Sequence, residues 1–140
     1  LRMILSAKYP VGRRVWLSAT PPKAHDTSDP VALDRQNALD EINDELEKDE
    51  VFVNLASNEY FKVLNTKLLK VPVITPVFKD YKNGQLKMIS FFAKKARGLM
   101  SMFIIDNNVK SVNEILSFDS GGYSYSKKDT ADELKPVFIR

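Results

Sequence analysis

The clearest pattern of hydrophobic and polar positions lies in residues 93–107. Its apolar side chains recur at i, i+3, i+4, i+7 and i+8, the spacing of one helix face: Ala96, Leu99, Met100, Phe103 and Ile104. This stretch is also the longest periodic segment of the chain. The sequence therefore predicts one long helix over 93–107, with that face turned toward the core.

A hairpin is predicted just before this helix. Asn83-Gly84 suits the positive φ angles of a two-residue type I′ turn, and apolar segments flank it at 71–78 and 86–92. Pro72 and Pro76 remove ladder donors from the first segment. We expect that segment to be an edge strand, or a bulged one, and the second to return beside it.

Shorter elements surround this unit. Residues 51–55 form a β-branched apolar run typical of a buried strand, and Ser57 can cap a short helix over 58–64. Ser111 to Glu114 is a capping-box pattern, Gly121-Gly122 predicts a turn, and 123–126 and 137–139 are the last predicted strands. The expected fold class is α+β: a mixed sheet with an Asn-Gly hairpin and a long helix of the C-terminal half packed on it.

The first third of the chain has a weaker pattern. Residues 1–5 are interpreted as the end of a helix, 11–34 as loop and 34–48 as a polar, acidic surface helix. We expect no signal peptide here, because residues 1–9 are too short a stretch and are interrupted by Arg2, Ser6 and Lys8.

Composition narrows the classes of function. The 140 residues are 44% hydrophobic and 28% charged, as in ordinary globular proteins, with no cysteine and one histidine, His25. Disulfides, thiolate metal sites and paired-histidine metal sites are therefore excluded, and we expect a cytoplasmic protein without a metal or other cofactor. A non-haem iron site normally uses two histidines and a carboxylate, which a chain with one histidine does not supply.

Charge is unevenly distributed. The chain carries a formal net charge of +3, but residues 51–102 alone hold nine basic side chains against Glu59 and Asp80. Two interpretations are open: a solvated lysine-rich face, or a surface that binds phosphate or another polyanion.

The start of the long helix holds the candidate phosphate ligands. Lys94, Lys95 and Arg97 would oppose the helix dipole there, and a bound anion would relieve this repulsion. Lys94 and Arg97 share a face, Lys95 points elsewhere, and Ser90 can add a hydroxyl contact. The alternative is that these cations form only surface salt bridges, for example with Glu59.

A second candidate group lies where a strand ends and a helix begins. Asn54, Ser57 and Tyr60 occupy the usual position of ligand contacts in α/β sheets, although Ser57 has a structural explanation as a cap. Glu59 can orient Arg97, or it can be the general acid/base of an enzyme acting on a nucleotide or nucleobase. Four aromatic side chains of residues 61–123 are more typical of a hydrophobic core than of platforms on which nucleic-acid bases stack: Phe61, Phe91, Phe92 and Tyr123.

Three segments together resemble the C-terminal half of the YaaA peroxide-stress family. They are VNLASNEYFK at 53–62, PVF at 76–78 and ISFFAKKARGLMS at 89–101, and the residues at 118–123 and 136–140 fit the same ending. The resemblance divides the chain into a divergent or truncated segment, 1–42, and the C-terminal half of a YaaA-like domain, 43–140. Residues 7–11 replace the glycine turn that family members carry, and Met102 replaces an arginine.

The resemblance implies a bacterial, cytosolic protein of the response to hydrogen peroxide. Such a protein limits iron-linked oxidative damage and binds DNA through a positively charged cleft, to which a helix-hairpin-helix element contributes. The missing glycine turn is the candidate for that element, which weakens the expectation of DNA binding for this chain. The nucleotide- or nucleobase-modifying enzyme stays open as the alternative, as does an inactive, partial member of the family.

Overall fold

The computed structural model of the protein describes residues 2–5, 16–17, 43, 51–57, 61 and 66–140. These residues form two four-stranded sheets and two α-helices. The strands are β1 Arg2–Leu5, β2 Trp16–Leu17, β3 Phe52–Asn54, β4 Val73–Ile74, β5 Val77–Lys82, β6 Gln85–Lys87, β7 Ser124–Tyr125 and β8 Val137–Ile139. The helices are α1 Ser90–Asp106 and α2 Val112–Ile115, so the predicted α+β class is confirmed.

The first sheet is parallel and has the order β2-β1-β3-β4. The predicted strand at 51–55 is its buried strand β3. The predicted helix end at 1–5 is wrong, since this segment is strand β1, and β2 lies within the predicted loop. A short apolar run has the same appearance in a buried helix and in a parallel strand covered on both faces, so periodicity does not separate them.

The second sheet is mixed and has the order β6-β5-β8-β7. Strands β5 and β6 are the predicted hairpin, and Asn83 and Gly84 have φ angles of 53° and 74° at its turn. Strand β8 pairs in parallel with β5 and antiparallel with β7. The predicted mixed sheet with an Asn-Gly hairpin is therefore confirmed.

The segment 71–78 was predicted as one strand, and the structure divides it between the two sheets. Val73–Ile74 forms an edge of the first sheet, as the prolines predict, while β5 lies inside the second between β6 and β8. Pro76 separates the two strands, because a residue without an N–H cannot continue a ladder. The backbone N–H of Val77 donates to the carbonyl of Pro136 at 2.9 Å, which starts the second pairing.

Helix α1 begins three residues earlier than predicted. The N–H of Ala93 already donates to the carbonyl of Ile89 at 2.8 Å, so residues 90–92 form the first helical turn and the predicted strand ends at Lys87. The helix buries Ala93, Ala96, Met100 and Ile104, on the predicted face. They share one core with an aromatic cluster of Phe78, Phe118 and Phe138, whose ring centroids lie 5.5–6.1 Å apart.

The capping box of α2 is confirmed. The hydroxyl oxygen of Ser111 accepts a hydrogen bond from the N–H of Glu114 at 3.3 Å, and the Glu114 carboxylate accepts one from the N–H of Lys110 at 2.7 Å. Of the two other predicted helices, only Asn43 and Phe61 lie within the described residues, and both are helical. In the described part of the chain, no helix combines the length and the apolar character needed to cross a bilayer.

Two glycines provide a matched test of this fold. Gly84 and Gly121 both have positive φ angles, 74° and 66°, so alanine at either position should cost about 1 kcal/mol of backbone strain. A Cβ at Gly84 meets nothing within 4 Å, whereas one at Gly121 lies 2.6 Å from Cδ1 of Leu99. We expect Gly121→Ala to lower the free energy of unfolding by about 1 kcal/mol more than Gly84→Ala, measured by urea unfolding. Equal losses would contradict this prediction and would show that the Leu99 side chain moves away from the new Cβ at little cost.

Candidate phosphate-binding flank and a buried ion pair

One flank of helix α1 carries polar side chains from Ser90 to Ser101. Ser90, Lys94, Arg97 and Ser101 follow one another at i, i+4, i+7 and i+11, which places them along one side of the helix beside its buried face. We call these four residues the polar flank. Helical geometry places Lys95 further round, toward the side opposite the core, in agreement with the expectation that it points elsewhere.

The cations of this flank differ in their exposure. Lys94 is exposed and Arg97 is partly buried. Burial lowers the pKa of the Arg97 guanidinium from its ordinary value, because desolvation disfavours the charged form. Within residues 66–140, no carboxylate lies within 4.0 Å of a side-chain nitrogen of Lys94 or Arg97. A phosphate oxygen bound at Arg97 would offset this cost of desolvation.

The early start of the helix corrects the prediction that Lys94 and Arg97 oppose the helix dipole. Lys94 lies in the second turn of α1 and Arg97 in the third, so neither opposes the dipole at the helix N-terminus, whose effect is confined to the first turn. Ile89 occupies the N-cap position and makes no side-chain cap. Ser90 is the predicted phosphate ligand that lies in this first turn.

Of the predicted contacts at the end of β3, the Asn54 side chain has hydrogen-bond partners and the Ser57 hydroxyl has none in the described part of the chain. The Asn54 side chain is 1% exposed; its oxygen accepts the N–H of Ala56 at 3.0 Å and its amide donates to Thr75 Oγ1 at 3.3 Å. These hydrogen bonds satisfy the Asn54 side chain at the end of β3. A contact from Asn54 to phosphate stays a prediction. The Ser57 carbonyl accepts the N–H of Phe61 at 3.0 Å, but its buried hydroxyl oxygen has no hydrogen-bond partner in the described part of the chain.

Tyr60, Glu59 and His25 lie outside the described residues. The pairing of Glu59 with Arg97, its role as an acid/base and the contact from Tyr60 therefore stay predictions. Among the residues that the structure does describe, no group of three or more histidine, aspartate or glutamate side chains is arranged to hold a metal ion.

The aromatic predictions have mixed outcomes. Tyr123 is 2% exposed in the main core, and Phe61 packs against a smaller cluster. Phe91, in contrast, is 73% exposed, so its assignment to the core is wrong. It lies on the side of α1 opposite Ala93 and Met100, because the helix starts early enough to include it.

A second polar cluster, which the sequence did not predict, joins four segments of the second half of the chain. The buried Asp80 carboxylate on β5 accepts hydrogen bonds from the Tyr123 hydroxyl, at 2.9 and 3.1 Å, and from Arg140 Nε, at 2.7 Å. A terminal guanidinium nitrogen of Arg140 also lies 2.7 Å from Asp80 Oδ1. The guanidinium carbon lies 4.4 Å from the ring centroid of Phe92, in the first turn of α1.

This cluster fixes the hairpin, the chain end and the start of α1 to one another. Asp80 is only 4% exposed, and burial of a carboxylate is tolerated because a cation and a hydroxyl both contact it. A signal for it exists in the sequence: Asp80 follows Phe78 by two residues, so an alternating strand directs both side chains to the same, buried face. Its partner, 60 residues away, carries no such signal.

The cluster predicts an alkaline limit to stability. Burial first, and then the hydrogen bond and charge of Asp80, raise the pKa of Tyr123 to about 12. The unfolded chain ionises tyrosine near pH 10, so this contribution to the free energy of unfolding should be complete below about pH 10 and decline as the pH rises toward 12. Urea unfolding across this range should show the decline, and Tyr123→Phe should reduce it. Ionisation of Tyr123 near pH 10 in the folded protein, seen by phenolate absorbance, would contradict this arrangement.

Comparison with known proteins identifies the family. Residues 34–129 match the family described as peroxide stress protein YaaA. A UPF0246 protein of Shewanella halifaxensis is 56% identical over 103 residues, which are 72% of this chain and 40% of that protein. A UPF0246 protein of Flavobacterium johnsoniae is 62% identical over 84 residues, which are 60% of this chain and 33% of that protein.

The chain therefore spans two fifths or less of the length of these two relatives. The family match, in contrast, covers more than half of the chain and includes the whole of helix α1 with its polar flank. On this evidence, the chain belongs to the YaaA family of peroxide stress proteins.

Proposed function

We propose that this chain binds DNA, or another phosphate-bearing polyanion, through the polar flank of α1 as its part in the peroxide stress response. The observation that carries the proposal is that Lys94 and the partly buried Arg97 lie on the same flank of α1. No carboxylate of residues 66–140 contacts either side chain. Membership of a peroxide stress family supports the physiological setting.

The chemistry of the flank suits a phosphate chain. Lys94 supplies an exposed point charge, whereas the guanidinium of Arg97 can bind two phosphate oxygens at once. Ser90 and Ser101 add hydroxyl groups along the same line, although the Ser101 hydroxyl already donates to the carbonyl of Gly98 at 2.7 Å. Contacts of this kind position a nucleic-acid backbone and carry no base specificity.

The proposed effect on iron-linked damage is indirect. The sequence has a single histidine, which does not suit an iron(II) site of the two-histidine, one-carboxylate type. We propose instead that the protein acts by occupying the polyanion that iron-generated radicals attack.

A salt titration tests the proposal. Two phosphates neutralised by Lys94 and Arg97 should give a slope of log affinity against log salt of about −2 or steeper, and about tenfold weaker binding at 200 mM than at 50 mM salt. Binding of the purified chain to single- and double-stranded DNA, followed by fluorescence anisotropy, measures this slope. Affinity that does not change with salt would contradict the proposal.

A further inference from the structure

The hairpin of β5 and β6 exposes an aromatic side chain on the face of the second sheet opposite α1. Phe78 and Asp80 are buried on the core side of β5, so alternation along the strand directs Lys79 and Tyr81 to the other face. Tyr81 is 55% exposed, and its cross-strand partner Leu86 is partly buried. The ring is therefore anchored on a paired strand and remains largely open to solvent.

Two lysines lie beside this ring in the sequence. Lys79 precedes Tyr81 by two residues on the same face, and Lys82 follows it at the end of β5. Within residues 66–140, no carboxylate lies within 4.0 Å of the ammonium nitrogen of either lysine. Asp80 is buried on the opposite face, in the ion pair described above. The surroundings of the ring therefore carry a net positive charge.

The hairpin holds Tyr81 in place and leaves the space around its tip open. The N–H of Tyr81 donates to the carbonyl of Arg140 at 2.9 Å, so the strand is bonded on the side away from β6 as well. At the Asn83-Gly84 turn, a Cβ added to Gly84 would meet nothing within 4 Å. An aromatic ring on a paired strand loses little conformational freedom when a ligand binds to it.

We propose that Tyr81 is a stacking platform for an unpaired base of single-stranded nucleic acid, with Lys79 and Lys82 binding the phosphates on either side of that base. Exposed aromatic rings beside cations bind single strands with little sequence preference, because every base has a flat face. A base inside a duplex is already stacked on its neighbours and cannot reach this ring. The surface therefore favours single strands over duplexes.

Charge favours a nucleic acid over a protein as the occupant of this surface. Protein interfaces are depleted in lysine and bury contiguous apolar area at their centre. Here one aromatic ring lies between two lysines, and the phosphates of a strand supply the complementary charge.

This proposal rests on the proposed function, because it takes nucleic acid as the polyanion that the chain binds. It adds a second surface, since the polar flank lies on α1 and Tyr81 lies on the face of the sheet away from α1. Phosphate contacts at Lys94 and Arg97 carry no information about bases, whereas stacking on Tyr81 requires an accessible base. Separate variants therefore remove the two contributions.

Three probes of equal length separate base stacking from phosphate contacts. They are an oligothymidylate of about 15 nucleotides, the same backbone with an abasic site at every position, and the duplex with oligoadenylate. Tyr81→Ala should weaken binding of the oligothymidylate about tenfold, and binding of the other two probes by less than about twofold. Its slope of log affinity against log salt should equal that of the unaltered chain, because no charge is removed. Fluorescence anisotropy of labelled probes measures these affinities.

Two further variants identify the ring itself as the contact. Tyr81→Phe keeps the ring and should bind the oligothymidylate as tightly as the unaltered chain. Phe91→Ala is the matched control, because Phe91 is 73% exposed on α1 and lies outside the hairpin. It should leave all three affinities unchanged. Cooperative thermal unfolding of each variant shows that it is folded.

The outcomes separate this proposal from the proposed function. If Tyr81→Ala binds the oligothymidylate as tightly as the unaltered chain, or loses as much affinity for the abasic probe, the stacking proposal is wrong, while salt-dependent binding by the polar flank stands. An equal loss from Phe91→Ala would also overturn it, since the effect would then not be specific to the hairpin. If no probe binds in a salt-dependent way, the proposed function is wrong and the stacking proposal fails with it.

Discussion

Replacing Lys94 and Arg97 together by glutamate should remove measurable DNA binding at physiological salt. The double variant deletes two cations of the polar flank and adds two anions there, so both proposed phosphate contacts become repulsive. At low salt, where residual binding by the other lysines of 51–102 is measurable, we expect the slope of log affinity against log salt to be less steep by about 2. Anisotropy titrations at several salt concentrations measure both quantities.

The chain contains a matched control for this variant. Lys127 and Lys128 are exposed and lie between β7 and β8, outside α1. Lys127→Glu with Lys128→Glu changes the net charge of the chain by the same amount as the first pair. If binding depends on the polar flank, the control keeps the slope and most of the affinity. An equal loss in both variants would show that overall charge, and not this flank, determines binding.

Folding of the two double variants has to be compared as well. Lys94 is exposed, but Arg97 is partly buried, so a glutamate there can also disturb packing. Lys94→Gln with Arg97→Gln removes the two cations without adding anions and has the side-chain length of the glutamate variant. We expect it to reduce the slope in the same direction while its thermal unfolding stays cooperative. A slope equal to that of the unaltered chain would contradict the proposed contacts.

Local chemistry explains which parts of the fold were predictable. The Asn83-Gly84 turn and the Ser111 capping box depend on residues next to one another in the sequence, and both are confirmed. Helix α1 was predictable because its apolar face repeats over about three turns, from Ala93 to Ile104, although its start at Ser90 was not. The first turn holds Phe91 and Phe92, which a β-propensity argument assigns to the preceding strand.

Parallel strands were the least predictable elements. Strand β1 pairs with β2 and with β3, whose closest paired positions lie 12 and 50 residues away in the sequence. Such pairings come from tertiary packing, and the local sequence of β1 has no turn chemistry to indicate them. The division of 71–78 between two sheets has the same origin, since the partners of Val73 and Val77 lie on opposite sides of the sequence, at Phe52 and Val137.

The candidate site shows the same division between local and distant information. Helical period alone placed Lys94 and Arg97 on one flank and separated Lys95 from them. The helical period could not show that Arg140 neutralises Asp80. Asp80 therefore does not compete for Lys94 and Arg97. Asp80 thus reduces the local positive charge of residues 51–102 less than a count of charges suggests.

The ion pair itself leads to the second large expected effect. Arg140→Met keeps an unbranched apolar side chain but removes the guanidinium that contacts Asp80 and lies over the Phe92 ring. The carboxylate would remain nearly fully buried with only the Tyr123 hydroxyl as a described side-chain partner. Removing one member of a buried pair typically costs 3–5 kcal/mol. Because the Arg140 side chain is itself about a third exposed, we expect a loss near the lower limit, about 3 kcal/mol, in the free energy of unfolding.

A double-mutant cycle separates the pair from the packing around it. Asp80→Asn alone leaves the Arg140 guanidinium without its anion but keeps a hydrogen-bonding group, so it should cost less than Arg140→Met, about 1–2 kcal/mol. Combined with Arg140→Met, the asparagine removes the buried unpaired charge, and the double variant should be more stable than Arg140→Met by about 1 kcal/mol. Urea unfolding with a common m-value measures the cycle. Simple additivity of the two losses would show that Asp80 and Arg140 do not stabilise one another, and that the start of α1 is held by apolar contacts alone.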